Sequence, residues 1–186
     1  MRRARVCIPE YFRVALGCRG VTISSALLNV NVQLLDQSLR LLPALDDATY
    51  RHIGTQLRHI IEFYECFLTG VREGVVDYDA RRRDIALEQC RAAAEHRIRG
   101  ISWSLTRVRE DRLLLVRMED APAGLEDELL PSSTSRELQS LMSHTTHHFA
   151  LIAMMLRGRG VEIERDFGVA RSTLRHQERM AAACAR

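Results

Sequence analysis

The chain has 186 residues, a length that fits one domain with a sizeable hydrophobic core. Its 27 Lys and Arg nearly cancel its 24 Asp and Glu, and the net charge of +3 is matched by arginines near the two ends, so composition gives little support for nucleic-acid binding. The longest apolar run, FALIAMML, is too short for a membrane span. We therefore expect neither a nucleic-acid partner nor a membrane partner.

The cysteines and the N-terminal segment indicate where the chain resides. The five cysteines are odd in number, widely spaced and free of any Cys-x-x-Cys motif, which argues against a disulfide framework and a zinc knuckle and favours the reducing cytoplasm. Arg13 and Arg19 interrupt the apolar residues of the start, so it does not read as a secretory signal. We expect residues 1–22 to be a poorly ordered extension, 23–175 the folded domain and 176–186 a C-terminal tail.

The first half of the chain predicts two long amphipathic helices. Apolar residues at spacings of three and four favour a helix from about Ser24 to Leu45. A second helix is expected to begin at Asp46 or Asp47, either of which can cap it, and to run to about Val71. Gly54 lies inside this second helix and is expected to reduce its stability without breaking it.

A third helix and a long connection follow. Asp84 can cap the third helix, whose apolar stripe includes Leu87 and Cys90 and continues to Leu105. Between residues 108 and 133 the helical period disappears, RLLLVRME favours a short strand, and prolines mark loops. A connection of this length usually has a function or a small structure of its own.

The fourth predicted helix completes an all-α class. Thr134 and Glu137 form a capping-box signature, and the helix is expected to end near Arg157 before the sequence GRG. The four helices predict a four-helix bundle with one long crossover before the last helix. A short β-hairpin in that crossover is part of the same prediction.

Three histidines interrupt the fourth helix in the stretch SHTTHHFALIAMML. His144 and His148 fall on the apolar stripe that includes Ile152 and Met155, whereas His147 falls on a more polar stripe. Two imidazoles four residues apart lie on one helix face and can converge on a single ion. The pair therefore predicts two inward-facing metal ligands.

The other interpretation of this pair is two core histidines hydrogen-bonded to polar neighbours such as Thr145 or Gln56. His59 lies on the inward stripe of the second helix, and a third buried imidazole is costly unless something uses it. Three neutral histidines would form an open His₃ site with positions left for water or substrate. His52 lies on the same stripe one heptad away, so only one of His52 and His59 can be the third ligand.

Four motifs occur along the chain in the order IGTQLRHIIEFYECFLTG, VDYDARRRD, SRELQSLMSHTTHHFALIAMML and DFGVARSTL. Together they resemble a branch of the DinB-like superfamily over about residues 24–175. The resemblance implies a four-helix bundle that holds a divalent metal with one histidine from the second helix and an HxxxH pair from the fourth. Carried over to this sequence, it implies His59, His144 and His148 as the metal ligands.

Two positions depart from that branch. Glu62-Phe63-Tyr64 stands where the branch often has Asp-His-Tyr, and Phe63 makes the inward face drier without removing a predicted ligand. Gln56 stands where histidine is frequent. Its amide can hydrogen-bond a metal-bound water or simply pack.

The resemblance implies a metal-dependent thiol S-transferase or hydrolase, because the superfamily includes transferases and isomerases that use low-molecular-weight thiols. A His₃-bound ion acts as a Lewis acid and lowers the pKa of what it binds. The alternative is a non-catalytic metal-binding or stress-related module, since no second catalytic group is evident. We expect a low-molecular-weight thiol or another small-molecule substrate as partner and leave a homodimer open.

The predicted cofactor is a divalent ion, with zinc, nickel and iron as candidates, because imidazole-only sites accept several metals.

Catalytic residues are not identified. Glu62 is a candidate carboxylate partner for His59, and the loop offers Tyr78, Asp79, Arg81 and Arg83. The other interpretation of DYDARRRD is a salt-bridged loop that sets how the second and third helices meet. A metal site also predicts a gain in melting temperature that is large at pH 7.5 and shrinks toward pH 5.

Overall fold

The computed structural model describes residues 21–117 and 128–184. Within these ranges the chain forms six α-helices: α1 (Ser25–Leu41), α2 (Asp47–Glu73), α3 (Ile85–Gln89), α4 (Arg91–Leu105), α5 (Thr134–Arg157) and α6 (Arg171–Cys184). It also forms five short strands: β1 (Val21–Thr22), β2 (Val75–Val76), β3 (Glu110–Asp111), β4 (Leu113–Arg117) and β5 (Leu129–Ser133). The prediction of a helix-dominated fold is confirmed.

The predicted extension and tail lie at the limits of the described residues. Residues 1–20 of the extension lie outside them. Val21 and Thr22, which we assigned to the extension, form β1 and pair antiparallel with Asp111 and Glu110 of β3. Residues 176–184 of the predicted tail are helical, as part of α6.

The caps of α2 explain its length. Asp46 is the N-cap, and its side chain accepts a hydrogen bond from the Thr49 amide at 2.7 Å. The helix continues through Gly54 and ends at Gly74, whose φ of 87° is in the left-handed region that favours glycine at a helix C-terminus. The α1 region is shorter than predicted, because a 3₁₀ turn over Leu42–Ala44 replaces its last turn.

The third predicted helix is two helices, because Cys90 adopts an extended conformation with φ −118° and ψ 103° between α3 and α4. Cys90 is exposed, so the prediction that it belongs to the core stripe is wrong. The break lets α3 and α4 both pack against α2. Asp84 caps α3 as predicted, accepting a hydrogen bond from the Ala86 amide at 3.0 Å.

Gly54 is required where α3 crosses α2. A Cβ atom on Gly54 would lie 2.1 Å from the backbone oxygen of Glu88, a contact that the α3 backbone cannot relieve by a rotamer change. We expect Gly54→Ala to destabilise the protein by about 2 kcal/mol, since overpacking outweighs the better helix propensity of alanine. Gly100→Ala is the matched control, because a Cβ there has nothing within 4 Å. Denaturant unfolding that ranks both variants as equally stable would contradict this account of the crossing.

The crossover contains the predicted strand and hairpin pairing. β4 lies between β2, with which it is parallel, and β5, with which it is antiparallel in a register from Leu113↔Ser133 to Arg117↔Leu129. The N-cap of α5 is Ser133, whose side chain accepts from the Arg136 amide at 3.2 Å. The predicted capping box at Thr134 is therefore wrong by one residue, because pairing of β5 with β4 sets where the helix begins.

Four long helices enclose the core. α1 contacts α4 and α5, and α2 also contacts α4 and α5. A buried polar network joins three of them, in which Tyr64 on α2 donates to Asn31 on α1 at 2.8 Å and Thr145 on α5 donates to Tyr64 at 3.3 Å. This packing fixes α2 against α5 near the histidines.

No helix in the described part of the chain is long and apolar enough to cross a membrane.

Candidate metal centre

The packing of α2 against α5 brings three imidazole rings together. Nε2 of His144 lies 3.1 Å from Nε2 of His59 and 3.1 Å from Nε2 of His148. One ring nitrogen from each of the three histidines lies within 4.8 Å of the other two. All three side chains are half-buried, so the cluster lies at the edge of the core with one side near solvent.

The other two histidines on these helices stay outside the cluster. His52 is exposed, and its Nδ1 lies 2.9 Å from a guanidinium nitrogen of Arg159. His147 is exposed, and its ring is nearly perpendicular to that of His148, with the centroids 5.4 Å apart. Of His52 and His59, His59 is the one that lies in the cluster with His144 and His148. Met155, predicted on the inward stripe, is 37% exposed, so the buried stripe of α5 does not extend to that residue.

If His144 were only a core residue, its two ring nitrogens could not both form the hydrogen bonds that they need. A ring nitrogen offers either one hydrogen or one lone pair in the ring plane, so Nε2 of His144 cannot form two good hydrogen bonds to its two neighbours. Its Nδ1 is buried and has no hydrogen-bond partner among the described residues. Two nitrogens bound to one ion at about 2.1 Å and a tetrahedral angle lie roughly 3.4 Å apart, close to the observed separations. The donor set therefore fits a divalent metal ion.

Gln56 orients one of the rings. Its Oε1 lies 2.6 Å from Nδ1 of His148, so His148 carries its proton on Nδ1 and keeps the lone pair of Nε2 directed at the cluster. The alternative interpretation expected core histidines hydrogen-bonded to Gln56 or Thr145. Gln56 does contact His148, whereas Thr145 donates its hydrogen bond to Tyr64. Metal-ligating histidines commonly have such a partner on the second nitrogen.

Phe63 covers the inner side of the cluster. Its ring stacks on His144 with a centroid distance of 4.0 Å, and Tyr78 stacks on Phe63 at 4.8 Å. The guanidinium of Arg81 lies 4.6 Å from the centroid of the same ring. This layer excludes water from one side of the imidazoles and places a positive charge close by.

The imidazoles are neutral near pH 7. Burial, followed by the charges of His148 and Arg81, lowers the pKa of His59 to about 4. Burial, followed by the charges of His148 and His59, lowers the pKa of His144 to about 3. Burial and the neighbouring His147 lower the pKa of His148 as well. Neutral imidazole is the form that can bind a metal ion.

Glu62, the candidate partner of His59, binds other groups. Its side chain is 1% exposed, and its two oxygens accept from Arg58 at 3.0 Å and from the Asp84 amide at 2.7 Å. Arg58 also pairs with Glu88 at 2.6 Å. The carboxylate therefore joins α2 to the start of α3, which agrees with the interpretation of a salt-bridged loop.

The loop candidates divide into two groups. Tyr78 and Arg81 contact Phe63 and so lie next to the cluster. Asp79 is exposed and 4.0 Å from Arg81, and Arg83 is exposed with a φ of 53°. The ion pairs of Asp77 with Arg117 at 2.9 Å and of Asp84 with Arg97 at 3.3 Å fix the two ends of this loop.

Sequence reasoning missed the group that holds Tyr78 in place. Glu137 is buried, and its carboxylate accepts hydrogen bonds from the Tyr78 hydroxyl at 2.7 Å and from Ser132. The capping-box interpretation of Glu137 accounts for this residue without any tertiary contact. A glutamate beside apolar residues at a helix start is the signal that could have suggested a buried partner.

Comparisons with known proteins add little to this description. No family model and no solved structure matches the chain. "FK506-binding protein 5" of Rhizopus delemar is 31% identical over 105 residues, which are 55% of this chain and 27% of that protein. The chain thus spans about a quarter of the length of this curated relative. Function is therefore inferred from the residues of the site.

Proposed function

We propose that the chain is a DinB-like metal-binding protein with a four-helix bundle formed by α1, α2, α4 and α5. In support, each of these helices contacts two of the others. The β4–β5 pair then forms part of the crossover that precedes the last bundle helix. One histidine comes from the second of these helices and two come from the fourth, which is the arrangement that the sequence resemblance implies.

The proposed ligands of a divalent ion, zinc, nickel or iron, are His59, His144 and His148. One observation carries this proposal, the convergence of three Nε2 atoms that hydrogen bonding alone cannot satisfy. Gln56 orients His148, and Phe63 packs on His144. These contacts restrict the ring orientations before any ion is bound, which favours binding.

The proposed activity is that of a metal-dependent thiol S-transferase or hydrolase. An ion held by three imidazoles supplies Lewis acidity and lowers the pKa of a bound thiol or water. Arg81 supplies a fixed positive charge beside the cluster, since its charge contributes to the lowered pKa of His59 and His144. That charge favours an anionic reactant such as a thiolate. Cys66, Cys90 and Cys184 are free thiols, in keeping with the reducing cytoplasm.

A non-catalytic metal-binding module is the second candidate. It is favoured by the absence of a carboxylate from the histidine cluster among the residues that the structure describes. Glu62, the nearest candidate base along the helix, is fully used by Arg58 and the Asp84 amide.

A turnover assay distinguishes the two candidates. Protein loaded with zinc, nickel or ferrous iron is incubated with glutathione and an activated aryl chloride, and separately with an activated ester. For an enzyme we expect a rate at least about 100-fold above that of the metal-free protein, because the ion activates the nucleophile. His147→Ala, which alters an exposed imidazole, should keep that rate. Stoichiometric metal without turnover in either assay would favour the non-catalytic module.

A further inference from the structure

A cleft lies away from the histidine cluster, where the C-terminal ends of α2 and α4 meet the β3–β4 segment. Its volume is about 450 Å³. Sites for small ligands commonly measure about 300–1,000 Å³. One tryptophan, four arginines and a single glutamate give the cleft its chemical character: Trp103, Arg72, Arg107, Arg109, Arg112 and Glu110. None of these residues belongs to the histidine cluster.

The four arginines concentrate positive charge that the described part of the chain does not neutralise. None of their guanidinium groups forms an ion pair with a described carboxylate. Arg72 donates to the hydroxyl of Thr69 at 3.2 Å, and Arg112 donates to the carbonyl of Val71 at 3.5 Å, so both use neutral acceptors. Glu110 is the one acidic residue among the described residues that line this cleft. The cleft is therefore suited to a ligand with more than one negative charge.

Trp103 adds a flat apolar surface to this charge. It is 62% exposed, although large aromatic side chains are usually well buried. The guanidinium of Arg107 lies 4.4 Å from the centroid of its ring, which holds the indole at the edge of the cleft. An exposed indole beside guanidinium groups can stack on a planar ring of a ligand while the arginines bind its anionic groups.

We propose that this cleft binds a nucleoside polyphosphate, with the base stacked on Trp103 and the phosphates bound by the arginines. A planar base and adjacent phosphates supply the two kinds of group that the cleft can recognise. Single-stranded nucleic acid would need several stacking surfaces in a row. The described residues of this cleft offer one aromatic ring, which matches one base. The site is separate from the metal centre and does not depend on the function proposed for it.

Trp103 is the only tryptophan in the chain, so its fluorescence reports binding at this cleft directly. The full chain is titrated with ADP, with adenosine and with inorganic pyrophosphate. We expect saturable quenching by ADP, and binding of adenosine and pyrophosphate that is at least about tenfold weaker, because each lacks one of the two recognised groups. The affinity for ADP should fall as salt concentration rises.

Charge-reversal variants test the location. Arg109→Glu should weaken ADP binding by at least about tenfold, since it removes a charged donor and adds repulsion. Arg51→Glu is the matched control, because it makes the same charge change at an exposed position about 30 Å away along α2, at 1.5 Å per residue. Trp103→Phe, followed by calorimetry, should bind ADP more weakly and fold normally by circular dichroism. Equal effects of Arg109→Glu and Arg51→Glu, the absence of saturable quenching, or equal affinity for ADP and pyrophosphate would overturn the proposal.

Discussion

Alanine at His59, His144 or His148 is expected to reduce bound metal from about one ion per chain to less than about 0.1, because two imidazoles and water bind a divalent ion far more weakly than three imidazoles. The measurement is elemental analysis of protein purified without an affinity tag. Gln56→Ala should retain the three ligands and weaken the affinity by roughly 10- to 100-fold, the usual effect of removing a partner that orients a ligand. Gln56 accepts from His148 at 2.6 Å.

Two histidines provide matched controls for this series. His147 is exposed next to the cluster. His52 is also exposed, and its ring contacts Arg159 outside the cluster. Alanine at either position should leave metal content unchanged. Circular dichroism of each variant distinguishes loss of a ligand from loss of the fold. If His147→Ala lost its metal while His148→Ala kept it, the proposed ligand set would be wrong.

The metal-free protein is expected to lose stability as pH falls below about 6.5, the pKa of an unperturbed imidazole. In the folded protein burial lowers the pKa of His59 to about 4 and of His144 to about 3. Between these values and 6.5 the unfolded chain binds protons that the folded chain does not, so the free energy of unfolding decreases as pH decreases. The stability of the metal-free protein is therefore highest above the pKa of the unfolded imidazoles. It decreases as pH falls from that value toward the pKa values of the folded imidazoles.

We expect the stabilisation by metal at the proposed site to depend on a different pH range. A metal present at about 1,000 times its Kd stabilises a fold by roughly 4 kcal/mol, or about 10 °C for a chain of this size. Protons compete for the folded site only near the pKa values of the folded imidazoles. For ordinary imidazoles, the metal-dependent gain in melting temperature is expected to shrink as pH falls toward 5. Because burial lowers the pKa values of His59 and His144, we expect this gain to be lost closer to pH 4.

Melting curves with metal and with chelator at pH 7.5, 6 and 5 test both statements. We expect the melting temperature of the metal-free form to fall by several degrees between pH 7.5 and 5, and the difference between the two forms to persist over most of that range. His147→Ala should behave like the original protein. A difference that disappears by pH 6 would indicate solvated histidines, and melting curves that never respond to metal would identify the three histidines as core residues.

The local sequence pattern was sufficient to predict α1, α2 and α5, although not the division of the third predicted helix into α3 and α4. Periodic apolar residues specify which face of a helix is buried, and Asp46 and Asp84 satisfy the first amides of α2 and α3 within a few residues of chain. The spacing of His144 and His148 likewise places both on one face, because four residues make about one helical turn. These relations depend on neighbours in sequence, so no tertiary contact is needed to infer them.

Only the tertiary structure decided which side chains meet. His52 and His59 share one stripe of α2, and the level at which α5 packs against α2 selects His59. The break at Cys90, the capping of α5 by Ser133 and the use of Glu62 by Arg58 and Asp84 depend on elements that are distant in sequence. A periodic pattern specifies the direction of a side chain about the helix axis. Its partner depends on the height along that axis and on the packing of other segments, which only the folded chain determines.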